Sequence, residues 1–142
     1  MFETDAIMSK INIIRNCLKT IKKAGSELVG KIEGFLIDDI TVLNLERAIQ
    51  ACIDIAHIII AQNNYSLPAT YKQSFEILVR EKVIDNEMCV IMVKMVGFRN
   101  VAAHTYQEIN TDILHSIVTH HLSDFEGFTS QIAEFVNKQQ GK

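Results

Sequence analysis

The segment Lys94-Met95-Val96-Gly97-Phe98-Arg99-Asn100-Val101-Ala102-Ala103-His104-Thr105-Tyr106 brings a guanidinium, an amide, an imidazole and a phenol together. Asn100 and His104 are four residues apart, so on a helix they share a face. Arg99 is adjacent, and its long side chain sweeps to the same cleft. Tyr106 falls just past the expected helix end, where its hydroxyl is accessible. This set suits phosphodiester chemistry. An imidazole titrates near neutral pH, so it takes a proton from a ribose 2′-hydroxyl or gives one to a leaving oxygen. A guanidinium binds phosphate oxygens in bidentate fashion and offsets the charge that builds in the transition state. Such a cleavage needs neither a metal nor a cofactor. An Arg and a His near a helix end are also common on ordinary surfaces, so residue types alone leave a purely structural reading open.

The elements that must position these groups are helical. Ile7, Ile11, Ile14, Leu18 and Ile21 recur every three or four residues after the N-cap candidates Thr4 and Asp5, and Gly25 is a stop signal. Residues 26–37, with Gly30 and Gly34, read as a short helix or an ordered loop. A second helix is expected from Asp38 or Asp39 to about Gln62, ended by Asn63-Asn64 and Pro68. A short third helix spans about Thr70 to Glu81, with Phe75, Leu78 and Val79 inward. Asp85 or Asn86 caps a fourth, whose apolar side is Met88, Ile91, Met92, Met95 and Phe98. A last helix from Asn110 or Thr111 carries Leu114, Val118, Leu122, Phe125, Ile132 and Phe135 to the end of the chain. No segment alternates with period two, so no strand is expected. The fold class is an all-α, up-and-down bundle of four long helices and one short one, a single domain over 1–142 without repeats or linkers.

Composition narrows the alternatives. The 142 residues are 48% hydrophobic and 22% charged, with one proline and six glycines, too few turn formers for a β-sandwich or barrel. No apolar run approaches the length of a membrane span, since Ile55 to Ala61 is broken by His57. The acidic start, Met1-Phe2-Glu3-Thr4-Asp5, lacks the order of a signal peptide, so a cytoplasmic protein without membrane contact is expected. The net charge of −3 excludes a bulk basic field for nucleic acid, but not a local patch or one made by pairing two chains. Cys17, Cys52 and Cys89 fit no zinc or disulfide spacing and read as buried free thiols.

The second helix carries a further pattern. From Cys52 to Ala61 it is apolar on nearly every side, while Arg47, Gln50, Asp54 and His57 form one polar stripe. Such a helix is central in the bundle or also buried against another chain. Asp54 is a candidate to orient His104 or to pair with Arg99; pairing with a nearby lysine, or facing water, is the alternative. His57 reads first as a core or edge histidine and second as a site residue. His120 and His121 point about 100° apart on a regular helix and cannot share one metal; like His115 they suit solvated or capping roles.

Arg99-Asn100-x-x-x-His104-x-Tyr106 resembles the Arg-x4-His-x-Tyr signature of HepT-like proteins, the toxin branch of the HEPN superfamily. Leu43-Asn44-Leu45, Ala51-Cys52-Ile53-Asp54-Ile55-Ala56, Lys94-Met95-Val96-Gly97 and His120-His121-Leu122-x-Asp124-Phe125 look similar too, so the likeness covers most of residues 38–126. It implies a helical homodimer whose paired motifs line a shared cleft, each Arg99 near the His104 of the other protomer. It implies a metal-independent endoribonuclease, the toxin of a type VII toxin–antitoxin system. Its implied partner is a minimal nucleotidyltransferase of the MntA type, an antitoxin that transfers AMP from ATP to the motif tyrosine. On that basis Arg99 and His104 are catalytic, Tyr106 accepts AMP, and Asn100 positions the phosphate or orients His104. Some relatives serve only as substrate-binding or acceptor subunits of the transferase, which is the competing reading; a plain helical dimer is the third.

Overall fold

The computed structural model describes residues 4–104 and 110–141. Among the described residues six helices follow one another: α1 (Asp5–Glu27), α2 (Gly34–Gln62), α3 (Tyr71–Arg80), α4 (Asn86–His104), α5 (Thr111–His120) and α6 (Leu122–Gln140). Among the described residues there is no strand, only an isolated bridge between Val29 and Ile32.

α1 buries Ile7, Ile11, Ile14, Leu18 and Ile21, the stripe expected from their spacing, together with Cys17 and Ala24. The turn that follows closes with Lys31 N–H donating to the Leu28 carbonyl, 2.9 Å. Gly30 sits there at φ +82°, where an L side chain is strained. α2 then starts at Gly34, four residues before the expected Asp38. Its added turn exposes Phe35 and Leu36, so it leaves no inward apolar period to read. The uncertain stretch 26–37 therefore divides between the end of α1, a turn and the start of α2.

α2 is the central helix. It packs on α1, α3, α4 and α5, and Ala51, Cys52, Ile53, Ile55, Ala56, Ile59 and Ile60 are all buried within this one chain. The bundle itself thus buries most of the all-round apolar stretch, with Ile58 partly buried and Ala61 exposed. Local capping fixes the next two starts. Thr70 Oγ1 accepts from the Gln73 N–H at 3.1 Å and begins α3, and Asp85 Oδ1 accepts from the Met88 N–H at 2.8 Å and begins α4. Phe75, Phe125 and Phe128 are fully buried, and the rings of Phe75 and Phe128 meet edge to face at 6.1 Å, tying α3 to α6.

The expected single last helix is two. Asn110 caps α5 by accepting from the N–H groups of Asp112 and Ile113. His121 then leaves the helical conformation, at φ −124° and ψ 1°, and serves as the end of α5 and the start of α6. Its ring Nδ1 lies 2.9 Å from Asp124 Oδ2 across the first turn of α6. Leu114 and Leu122 are buried on either side of the break, so the apolar spacing runs through it unmarked. The bundle is thus four long helices with two short ones. No helix among the described residues is long and apolar enough to cross a membrane.

Candidate active site

The site is built at the C-terminal end of α4. The helix buries Met88, Met92, Met95 and Val96. Its last turns then carry polar groups, with Arg99 half-buried and Asn100 exposed. Among the described residues no carboxylate forms an ion pair with Arg99, so the described surroundings leave the guanidinium without an anion. The backbone of α4 continues helically to position 104, which places that position one turn beyond Asn100 on the same face. The imidazole of His104 and the whole of Tyr106 lie outside the described residues.

Asn100 forms one wall of an open cavity of about 630 Å³. Val93, Val96 and Gly97 of α4, His57 of α2, and Pro68, Thr70, Tyr71, Lys72 and Ser74 at and before the start of α3 line the rest of it. Ser74 is fully buried, and its Oγ lies 3.0 Å from His57 Nε2. The Ser74 hydroxyl donates to the Thr70 carbonyl at 3.3 Å, so it accepts from the imidazole. The tyrosine ring of Tyr71 stands 5.8 Å from the imidazole of His57, tilted by 44°. His57 is thus a fixed wall of the cavity that Asn100 opens into. Tyr71, Lys72 and Ser74 were not singled out in the sequence. Their signal was the Thr70 cap after Pro68, which sets an aromatic and a cation on the first turn of a helix.

The other polar groups divide among different neighbours. Asp54 Oδ1 accepts from Gln50 Nε2 at 2.8 Å, and Asp54 Oδ2 pairs with Lys10 Nζ at 3.0 Å. The first contact lies within α2, the Lys10 pair ties α2 to α1, and neither goes to Arg99. Arg47 is exposed to solvent. The polar stripe of α2 therefore splits, its middle turned to α1 and its end, His57, to α3. Lys94 lines a separate cavity of about 440 Å³ between α4 and the α5–α6 corner, along with Asp112, Ser116, His121 and Asp124. His115 Nε2 lies 3.2 Å from Asp38 Oδ1 and ties α5 to the start of α2. No cluster of three or more His, Cys, Asp or Glu suited to a metal occurs among the described residues. Cys17, Cys52 and Cys89 are buried free thiols, and burial pushes all three up from their ordinary thiol range.

Comparison with known proteins places this arrangement. The mRNA nuclease HepT of Shewanella oneidensis is 39% identical over 128 residues, covering 90% of this chain and 96% of that protein. A solved structure of a tri-AMPylated Shewanella oneidensis HEPN toxin in complex with an MNT antitoxin superposes with a TM-score of 0.85. It is 38% identical, with 93% of this chain and 99% of that chain covered. The cytosolic protein YutE from Bacillus subtilis shares the fold, with a TM-score of 0.78 at 18% identity over 96% of this chain and 92% of its own. The sequence pattern of the ribonuclease HepT-like family matches residues 11–132, nearly the whole bundle and all of α4, and this chain is a member of that family.

Proposed function

We propose that this protein is the toxin of a type VII toxin–antitoxin system, a metal-independent endoribonuclease silenced by AMPylation of Tyr106. One observation carries the reading: Arg99-x4-His104, followed in the sequence by x-Tyr106, ends α4 of a bundle that superposes on an AMPylated HEPN toxin in complex with its antitoxin. In cleavage, the 2′-oxygen of a ribose attacks the adjacent phosphorus and the bond to the 5′-oxygen breaks. The products are a 2′,3′-cyclic phosphate and a 5′-hydroxyl. His104 takes the proton of the 2′-hydroxyl, and an imidazolium returns one to the 5′-oxygen. Arg99 binds the non-bridging oxygens, where charge is greatest in the transition state. Asn100 holds the phosphate from the next turn of the helix.

Two copies acting as a homodimer in the cytoplasm bring two Arg99 residues into one cleft, which offsets the acidic net charge locally. The partner is a MntA-type nucleotidyltransferase. The phenolate oxygen of Tyr106 attacks the α-phosphorus of ATP, pyrophosphate leaves, and AMP stays on the tyrosine. The test is expression with and without that transferase, followed by intact-mass measurement and an RNA cleavage assay. Growth arrest and cleavage alone, and added AMP mass with loss of cleavage on co-expression, are the expected results. AMP addition to a chain that never cuts RNA would make it an acceptor subunit instead.

A further inference from the structure

The cavity of about 630 Å³ beside Asn100 has no part in the proton and charge transfers above. It is nonetheless built with more order than an accidental surface dent. Its volume falls within the range of about 300 to 1,000 Å³ typical of small-ligand sites, enough for one nucleotide. Its polar groups come from three helices: His57 from α2, Tyr71 and Lys72 from α3, and Asn100 from α4. The buried Ser74 hydroxyl holds His57 in one orientation, and the Thr70 cap fixes the backbone from which Tyr71 and Lys72 project. Tyr71 remains 37% exposed, so its ring offers a face to a ligand rather than to the core.

We infer that this cavity is a subsite for a nucleotide flanking the scissile phosphate, and that the substrate is therefore single-stranded RNA. The inference rests on the ribonuclease reading of the adjoining motif. The partly exposed ring of Tyr71, backed by His57, receives a splayed-out base, since unpaired bases stack on aromatic side chains and bases within a duplex do not leave their stack. The Lys72 ammonium takes a phosphate of the same strand. The Asn100 amide, which holds the scissile phosphate in the proposed mechanism, also lines this cavity and so joins the subsite to the motif. Val93, Val96 and Gly97 give the ring an apolar floor, and Gly97 leaves open space where a side chain would stand. The placement of the cavity along the α4 face puts the bound nucleotide next to position 104, so stacking here sets the position of the ribose that reacts.

The probe is a fluorescent 2′-O-methyl octaribonucleotide of mixed sequence, which cannot be cut because its nucleophilic oxygens are capped. Its binding is followed by anisotropy as a single strand and as a duplex. The intact chain should bind the single strand in preference to the duplex. Tyr71→Ala should weaken binding by about tenfold, Tyr71→Phe should restore it, and Lys72→Ala should lower the salt slope by about one charge. Equal binding by the intact chain and Tyr71→Ala, or equal binding of the duplex, overturns the proposal. So does a loss of dimer mass in Tyr71→Ala, which would make this face an interface between protomers.

Cleavage of the corresponding unmodified RNA separates the two readings. If the intact chain cuts and Tyr71→Ala cuts with unchanged kcat/KM, the subsite falls and the nuclease stands. If nothing is cut while binding still depends on Tyr71, the nuclease reading falls, and the subsite falls with it as a part of cleavage, leaving a single-strand binding site. A chain that neither binds nor cuts overturns both.

Discussion

His57 and Ser74 lie 17 positions apart in the chain and 3.0 Å apart in the fold, joined by a hydrogen bond between α2 and α3. The bond has a direction, because the serine hydroxyl already donates to the Thr70 carbonyl and so accepts from His57 Nε2. This selects the tautomer of the neutral ring, with its proton on Nε2. Ser74→Ala removes both bonds. His57 is exposed and regains water, so the loss should be modest, about 1 kcal/mol. Urea unfolding measures it, and an unchanged midpoint would mean that the bond contributes nothing to holding α3 against α2.

In the proposed mechanism Arg99 and His104 meet different demands of one transition state, charge and proton transfer, so neither loss would be covered by the other group. Arg99→Ala and His104→Ala should each lower RNA cleavage by at least about a hundredfold. The core, which uses neither residue, should stay intact, and the helical circular-dichroism signal and melting temperature should change little. EDTA should leave cleavage unaffected. Full activity of His104→Ala at equal protein concentration would remove the imidazole from the mechanism, and inhibition by EDTA would show that a metal ion takes part.

The spacing of Ile7, Ile11, Ile14, Leu18 and Ile21 made α1 legible, because one face of it meets one neighbour. The caps Thr70, Asp85 and Asn110 were legible for a local reason: each side chain bonds a backbone group two or three residues on. The break at His121 was not. Neither glycine nor proline marks it, and the buried leucines on either side keep a helical spacing across it. The site divides in the same way. Arg99, Asn100, His104 and Tyr106 are close in sequence and could be found there. The Asn100–His57–Tyr71 wall joins three helices and depends on how α3 folds back across α2 and α4, which no local pattern encodes. Asp54 marks the limit from the other side. Its helical face was legible, yet Lys10 and Gln50 are what that face meets.

The buried thiols give the stability a pH dependence on the alkaline side. Desolvation raises Cys17, Cys52 and Cys89 above their ordinary value of 9.0, and Cys52, fully buried, is raised most. Tyr65 is raised above 10.0 by burial and then by the nearby Glu81 carboxylate. An unfolded chain loses these protons near the ordinary values while the folded chain keeps them. The contribution is therefore complete below about pH 9 and is lost as the pH climbs towards the raised values, by up to about 1.4 kcal/mol per pH unit for each thiol. Urea midpoints should fall between about pH 9 and pH 11, and the fall should be shallower in Cys52→Ala. A midpoint that holds or rises over that range, or an identical slope in Cys52→Ala, would count against this account.

Tyr106 is two positions beyond His104 in the sequence, and in the proposed mechanism it carries the AMP that silences the site. An AMP there adds a phosphodiester charge and a bulky adenosine. On the proposed mechanism the phosphate would pair with Arg99, the group that would otherwise receive the RNA phosphate, and the adenosine would block the approach of the strand. Silencing is thus electrostatic and steric at once, and high salt should restore less activity than removal of the AMP does. Tyr106→Phe keeps the ring and loses the nucleophilic oxygen. This variant should keep the fold and the cleavage activity, and it should remain toxic when the transferase is co-expressed. Peptide mapping after incubation with the transferase, ATP and magnesium should place adenylyl mass on the peptide that contains Tyr106. Modification confined to Tyr65 or Tyr71, or silencing of Tyr106→Phe as complete as that of the unaltered chain, would move the acceptor elsewhere.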